Sequence, residues 1–88
     1  MDFYGKVKEI LDPVQGQGSK GLWVRRTIIL ESFENPENIL ALDALNERCD
    51  KLQTLQPGMP VKASFGVQSR KGEKGYFTSA NLWDIQKL

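Results

Sequence analysis

Two short segments of the chain combine glycines, basic side chains and aromatic rings at close spacing. The first, residues 16–26, has the sequence Gly-Gln-Gly-Ser-Lys-Gly-Leu-Trp-Val-Arg-Arg, and the second, residues 70–77, has Arg-Lys-Gly-Glu-Lys-Gly-Tyr-Phe. Aromatic rings offer flat faces on which nucleic-acid bases stack, and neighbouring cations follow a phosphate backbone. The residue types in both segments therefore predict contact with single-stranded nucleic acid.

Two aromatic and six basic side chains of these segments are the candidates for such contacts. They are Lys20, Trp23, Arg25, Arg26, Arg70, Lys71, Lys74 and Tyr76. Two interpretations of Trp23 stay open: it offers a stacking surface, or it is a half-buried ring that seals the mouth of a barrel. Tyr76 and Phe77 point to opposite faces of a strand, and we expect Tyr76, whose hydroxyl tolerates water, to be the exposed one and Phe77 to be core.

The distribution of charge is more informative than its sum, since the formal net charge is only +1. Residues 13–30 carry three cations and no acid, residues 31–50 carry six acids and one cation, and residues 51–75 carry five cations and one acid. Two basic stretches thus flank an acidic one. This pattern favours a basic surface on one side of the molecule.

The residue inventory argues against catalysis and metal binding. The chain has no histidine and one cysteine, Cys49, so it lacks the commonest general base and cannot form a zinc site of the Cys/His type or an internal disulfide. We therefore expect a protein that is not an enzyme and that holds no metal or cofactor. The start of the chain has no leader pattern and no stretch reaches the ~20 apolar residues of a membrane span, so we expect a cytoplasmic protein.

Alternating apolar residues and turn signals predict five strands and one short helix within a single domain over residues 1–88. The predicted strands are residues 3–11, 22–33, 39–45, 61–68 and 76–85, and the helix, capped by Asn46, covers residues 47–53. In the second strand the even-numbered residues from Val24 to Leu30 should point inward, which leaves Trp23 and Arg25 outside. An interruption of the alternation predicts a bulge in the first strand, and Trp83 is expected in the core or in a closing contact.

This order of elements predicts an all-β, five-stranded OB-fold, which is a Greek-key β-barrel, with a short helix between strands three and four. In that fold, the loops after strands one and four flank the face that binds nucleic acid. The two glycine-bearing segments fall at those two loops. A mechanism follows in which Trp23 and Tyr76 stack on bases while Arg25, Arg70 and the two lysines 71 and 74 neutralise phosphates.

Several short motifs link the chain to a known family. They are Ser-Lys-Gly-x-Trp-x-Arg-Arg at 19–26, Leu-x-Pro-Gly-x-x-Val at 55–61 and Gly-Tyr-Phe-Thr at 75–78. With them the chain resembles a small, largely uncharacterised bacterial family of OB-fold domains that is grouped with single-stranded DNA-binding proteins. The resemblance implies this fold over nearly the whole chain. The sequence departs from the family pattern at Leu45 and at residues 71–74, where the family has aromatic rings.

Two hypotheses about function follow. The first is non-enzymatic binding of single-stranded nucleic acid, with DNA favoured over RNA, by base stacking and phosphate contacts. The alternative is an OB module for protein–protein interaction or homodimerisation, in which the same aromatics bury against a partner. The paired aromatic and basic segments favour the first hypothesis, and the near-neutral net charge favours the second.

Overall fold

The structure, a computed structural model, describes residues 1–88 and contains six strands and one short helix. The strands are β1 (Asp2–Ile10), β2 (Val14–Gly18), β3 (Gly21–Ser32), β4 (Ile39–Leu45), β5 (Pro60–Gly72) and β6 (Gly75–Lys87). A 3₁₀ helix, Asn46–Leu52, follows β4. The five predicted strands and the helix are all present. The additional strand, β2, forms where the sequence predicts a loop, because a two-residue turn lets this segment fold back onto β3.

Five of the strands close into a ring in the order β1–β3–β4–β6–β5, and β1 pairs again with β5. All of these pairs are antiparallel except β4 with β6, which is parallel. This connectivity is that of an OB-fold barrel. The predicted all-β fold is therefore confirmed. None of the helical structure has the length and apolar character needed to cross a lipid bilayer.

Strand β1 closes the ring because it pairs on both of its edges. Gly5 lies opposite Ser32 of β3 and opposite Val61 of β5, and it is buried. A methyl group added at Gly5 would overlap the backbone carbonyl oxygen of Glu31, so only glycine fits at this crossing. A register shift between Val7 and Glu9 confirms the predicted bulge.

The core follows the predicted alternation. Ile28 and Leu30 are fully buried on β3, as is Val61 on β5, and their neighbours face solvent or lie at intermediate depth. Eleven apolar residues make up the core: Val7, Ile28, Leu30, Leu42, Ala44, Leu52, Leu55, Val61, Ala63, Phe65 and Leu82. The core is small, so much of the sheet lies outside it.

The 3₁₀ helix covers one part of the barrel. Leu52 is buried, and Cys49 packs against the core while its thiol donates to the carbonyl oxygen of Ala44 at 3.2 Å. The prediction that Asn46 caps this helix is wrong. Asn46 adopts φ 52°, and its Oδ1 accepts a hydrogen bond from the backbone N–H of Val24 at 3.1 Å, so the side chain joins the helix to β3.

Two hairpins extend past the core. In the β2–β3 hairpin the turn is Ser19-Lys20, and in the β5–β6 hairpin it is Glu73-Lys74. The glycine after each turn has positive φ, 108° at Gly21 and 133° at Gly75, which other residues rarely adopt. Residues 67–71 and 73–79 are all exposed. The second hairpin therefore has no apolar core of its own.

The structure overturns the prediction that Phe77 is a core residue, and of the two positions predicted for Trp83, the core or a closing contact, it excludes the core. Phe77 is 60% exposed, because it lies on the hairpin beyond the core. Trp83 is 53% exposed, because the register shifts beside it and turns its ring outward: Ser64 pairs with Asp84 while Phe65 pairs with Leu82. Neither ring is a core residue.

An exposed ion pair gives a pH-dependent prediction. Lys51 Nζ lies 3.1 Å from Asp84 Oδ1, and this hydrogen bond, a backbone hydrogen bond at Ile85 and the lysine charge lower the pKa of Asp84. Because the pKa of Asp84 is lower in the folded state than in the unfolded state, its ion pair with Lys51 stabilises the folded protein at pH values above the unfolded-state pKa. This stabilisation is lost as the pH falls through the folded-state pKa. We expect Lys51→Ala to raise the pKa of Asp84 towards its ordinary value, as measured by NMR titration. Lys62→Ala is the control, and an unchanged Asp84 pKa in Lys51→Ala would contradict the assignment.

Candidate nucleic-acid interface

Five strands share one continuous solvent side, which we call the outer face. On β3 it is the side that carries Trp23 and Arg25, opposite the side that carries Ile28. It continues over the paired strands β2, β4, β6 and β5. Strand pairing aligns its residues in rows. One row contains Val14, Arg25 and Leu45, and a second contains Thr27, Asp43, Asn81 and Gly66.

Trp23 lies at the start of this face on the β2–β3 hairpin. Its partner across the strand pair is Gly16, and its ring covers that glycine so closely that any added side chain would collide with it. An added methyl group at Gly18 would be 3.5 Å from the same ring, which is an ordinary contact. Gly16 of β2 therefore provides space for the indole, which is left half-buried on the hairpin with Arg25 two residues further along the same face.

The β5–β6 hairpin has two different sides. Arg70 pairs with Phe77 on the outer face, and the Phe77 ring lies over Gly72. Lys71 pairs with Tyr76 on the opposite side, where Tyr76 is 74% exposed. The exposure predicted for Tyr76 is therefore confirmed. Each side of this hairpin pairs one aromatic ring with one cation.

None of the six candidate cations forms an ion pair within the chain. The two ion pairs of the chain join Lys51 to Asp84 and Lys62 to Asp2. Five exposed cations lie in or beside the two hairpins and belong to neither pair: Lys20, Arg25, Arg70, Lys71 and Lys74. Their charges are therefore available to an anionic ligand.

Arg26 differs from the other candidates. It lies on the side of β3 opposite Trp23 and Arg25, and it is partly buried. Its Nε donates a hydrogen bond to the carbonyl oxygen of Leu11 at 2.8 Å, which ties β3 to the segment after β1. The structure thus gives Arg26 a partner within the chain and separates it from the outer face.

An acidic side chain occupies the middle of the outer face. Asp43 Oδ1 accepts a hydrogen bond from the Thr27 hydroxyl at 2.7 Å, and Asn81 lies beside Asp43 on β6. A carboxylate at this point repels phosphates and accepts hydrogen bonds from donors. No three His, Cys, Asp or Glu side chains come together in a cluster that could hold a metal ion.

Besides Phe77, Trp83 is an aromatic residue of this face that sequence reasoning did not identify as a candidate. Its ring lies over Gly66 of β5, in the same way that Trp23 lies over Gly16. The available signal was Gly66 itself, which interrupts an otherwise regular strand and so marks a close approach. Identifying the approaching group required the register of β5 with β6.

The closed ring and its connections define an OB-fold protein whose outer face carries aromatic rings and unpaired cations. The chain belongs to the family described as a domain of unknown function (DUF3127), whose sequence profile matches residues 2–86. The family resemblance found in the motifs is thereby confirmed.

Further comparisons give a structural relative. No curated protein matches the sequence. Among solved structures, the chain is similar to the crystal structure of a small single-stranded DNA-binding protein from Streptomyces coelicolor, with a TM-score of 0.51 and 20% identity over 100% of this chain and 92% of that one. At this level of identity the similarity shows a shared fold.

Proposed function

We propose that this protein binds single-stranded nucleic acid, and DNA in particular, without catalysing a reaction. Bases stack on Trp23, and phosphates contact the exposed cations of the two hairpins. The observation that carries the proposal is the Trp23 ring, which lies over Gly16 beside Arg25 and among cations that form no ion pair.

The spacing on β3 suits one nucleotide. Trp23 and Arg25 lie two residues apart on the same face, which places their Cα atoms about 7 Å from each other along the strand. A base stacked on the indole leaves its phosphate within reach of the long arginine side chain. Lys20, in the turn of the same hairpin, extends the positive charge on the other side of Trp23.

The shared fold supports DNA as the polymer. The similar Streptomyces coelicolor protein is a single-stranded DNA-binding protein. In OB-folds, oligonucleotides bind on the face of the second and third barrel strands, which correspond here to β3 and β4. Trp23 and Arg25 occupy that face.

Fluorescence anisotropy with labelled oligo-dT, the matching RNA and a duplex at low salt tests the proposal. We expect saturable binding to oligo-dT, and we expect Trp23→Ala to weaken it by about 1–3 kcal/mol because one stacked base is lost. Tyr4→Ala is the control, since Tyr4 is also an exposed aromatic residue but lies on β1 beside Lys62. Absence of saturable binding to all three ligands would refute the proposal.

Exposed apolar side chains support a second candidate function, which is interaction with a protein partner or a second copy. Leu22 is 84% exposed on the β2–β3 hairpin, and Val67 is 51% exposed on the β5–β6 hairpin. A partner would remove this apolar surface from water. A tight dimer in light scattering, together with no nucleic-acid binding, would favour this function over the first.

A further inference from the structure

Three aromatic rings of the outer face share one arrangement. Trp23 lies over Gly16, Trp83 lies over Gly66 and Phe77 lies over Gly72, each glycine being on the neighbouring strand. A side chain at any of the three glycines would collide with the ring above it. Strand pairing places all three rings on the same side of the sheet.

We infer that Trp83 and Phe77 are further stacking positions for the bases of single-stranded DNA. The bound strand would run from Trp23 across the outer face to Trp83, and then along the outer side of the β5–β6 hairpin to Phe77. This inference rests on the proposed function, and it replaces Tyr76 with Phe77 as the stacking residue of the second hairpin.

The contact with a glycine accounts for only one of the two sides of each aromatic ring. An aromatic ring over a strand glycine shields the backbone and stabilises the pairing, which needs only one side of the ring. More than half of the surface of Trp83 and of Phe77 remains in water. The glycine contact fixes each ring before binding, so a base that stacks on it meets a surface already ordered, at a low cost in side-chain entropy.

The charged residues near the rings are consistent with this path of the bound DNA strand. Arg70 lies opposite Phe77, where it can meet the phosphate of a base stacked there. Asp84, which follows Trp83, is paired with Lys51, so its charge is compensated. Asp43 lies on β4 between the Trp23 and Trp83 regions and directs phosphates away from the middle of the face, towards the hairpin cations.

The two tryptophans allow each position to be observed separately, because the chain contains no others. In the Trp23→Phe variant, Trp83 is the only tryptophan, and an aromatic ring is retained at position 23. We expect oligo-dT to quench the Trp83 emission and to saturate at the same concentration as the anisotropy signal. In Trp83→Phe, the Trp23 emission should be quenched in the same way.

Alanine variants of the adjacent hairpin residues distinguish its two sides. We expect Phe77→Ala to weaken oligo-dT binding about tenfold through the loss of one stacked base, and Tyr76→Ala to weaken it by less than about twofold. Both residues are exposed on the same strand, so each variant controls for the other. A larger loss in Tyr76→Ala than in Phe77→Ala would overturn the assignment of Phe77.

The failure of this inference can be told apart from the failure of the proposed function. Saturable anisotropy with unchanged Trp83 emission in the Trp23→Phe variant would overturn the Trp83 position and leave binding at Trp23 intact. Absence of any saturable anisotropy in the wild-type protein would overturn both. The emission measurement keeps the native ring at position 83, so its result does not depend on a destabilising substitution.

Discussion

Gly5→Ala is expected to unfold the protein. The added methyl group would overlap the backbone carbonyl oxygen of Glu31, which belongs to a paired strand and cannot move aside as a flexible side chain could. To accommodate it, β1 would have to move away from β3, and that change opens the ring. Because a domain with so small a core lies near the low end of the usual range, about 5 kcal/mol, a loss of more than about 4 kcal/mol removes most of the margin.

Urea denaturation followed by far-ultraviolet circular dichroism measures this effect. Gly18→Ala is the matched control, because a methyl group there would be 3.5 Å from Trp23, an ordinary contact, and the residue does not have positive φ. We expect the control to change stability by less than about 1 kcal/mol. Equal midpoints for the two variants would contradict the close approach of β1 and β3 at Gly5.

The second large effect is expected in the salt dependence of DNA binding. If the five unpaired hairpin cations each contact a phosphate, the slope of log affinity against log salt should be about −3.5, from about −0.7 per single-strand contact. Affinity for oligo-dT would then fall roughly a hundredfold between about 50 mM and about 200 mM salt. Anisotropy titrations at four or more salt concentrations give the slope directly.

The double variant Arg70→Ala with Lys71→Ala removes two of these cations from the exposed hairpin. We expect the slope to become less steep by about 1.4, the value of two contacts, while the fold is retained. Lys62→Ala is the control, since Lys62 is a cation that pairs with Asp2 and lies by Tyr4 on another part of the barrel. A wild-type slope near zero would show that the cations do not bind phosphate.

Much of the barrel could be predicted from local pattern. The alternation that ends in Ile28 and Leu30 on β3, and the one that begins at Val61 on β5, identified the buried faces, because inward and outward positions differ by one residue along a strand. Turn signals between the strands and the predicted short helix over residues 47–53 indicated the order of elements, and that order points to the OB-fold.

The sequence pattern did not indicate where along a strand the residues stop packing in the core and begin an exposed hairpin. Phe77 has the apolar ring of a core residue, but it lies on the outer face of β6, and β5 and β6 are both 13 residues long and extend past the ring. Asn46 has the residue type of a helix cap, yet its side chain binds the backbone of Val24, which is 22 positions earlier. Both outcomes depend on tertiary geometry that local residue types do not specify.

The difference between local sequence pattern and tertiary geometry also applies to the candidate site. Trp23 and Arg25 were identified because their spacing within one strand places them together. Trp83 was missed because its position over Gly66 depends on a register shift between two strands. The alternation on β3 predicted that Arg26 points away from the side of Arg25, but its hydrogen bond to Leu11 could not be predicted, because Leu11 lies on another segment.

The double pairing of β1 has a consequence for how the protein folds as it is synthesised. The first strand can pair with β3 early, but its other edge must wait for β5, and β4 must wait for β6. The backbone carbonyl of Met1 even accepts a hydrogen bond from the N–H of Phe65, 64 residues later. A nascent chain on the ribosome therefore cannot close the ring until both C-terminal strands have emerged, and contacts of such long range make barrel closure slow compared with that of helical proteins of similar size.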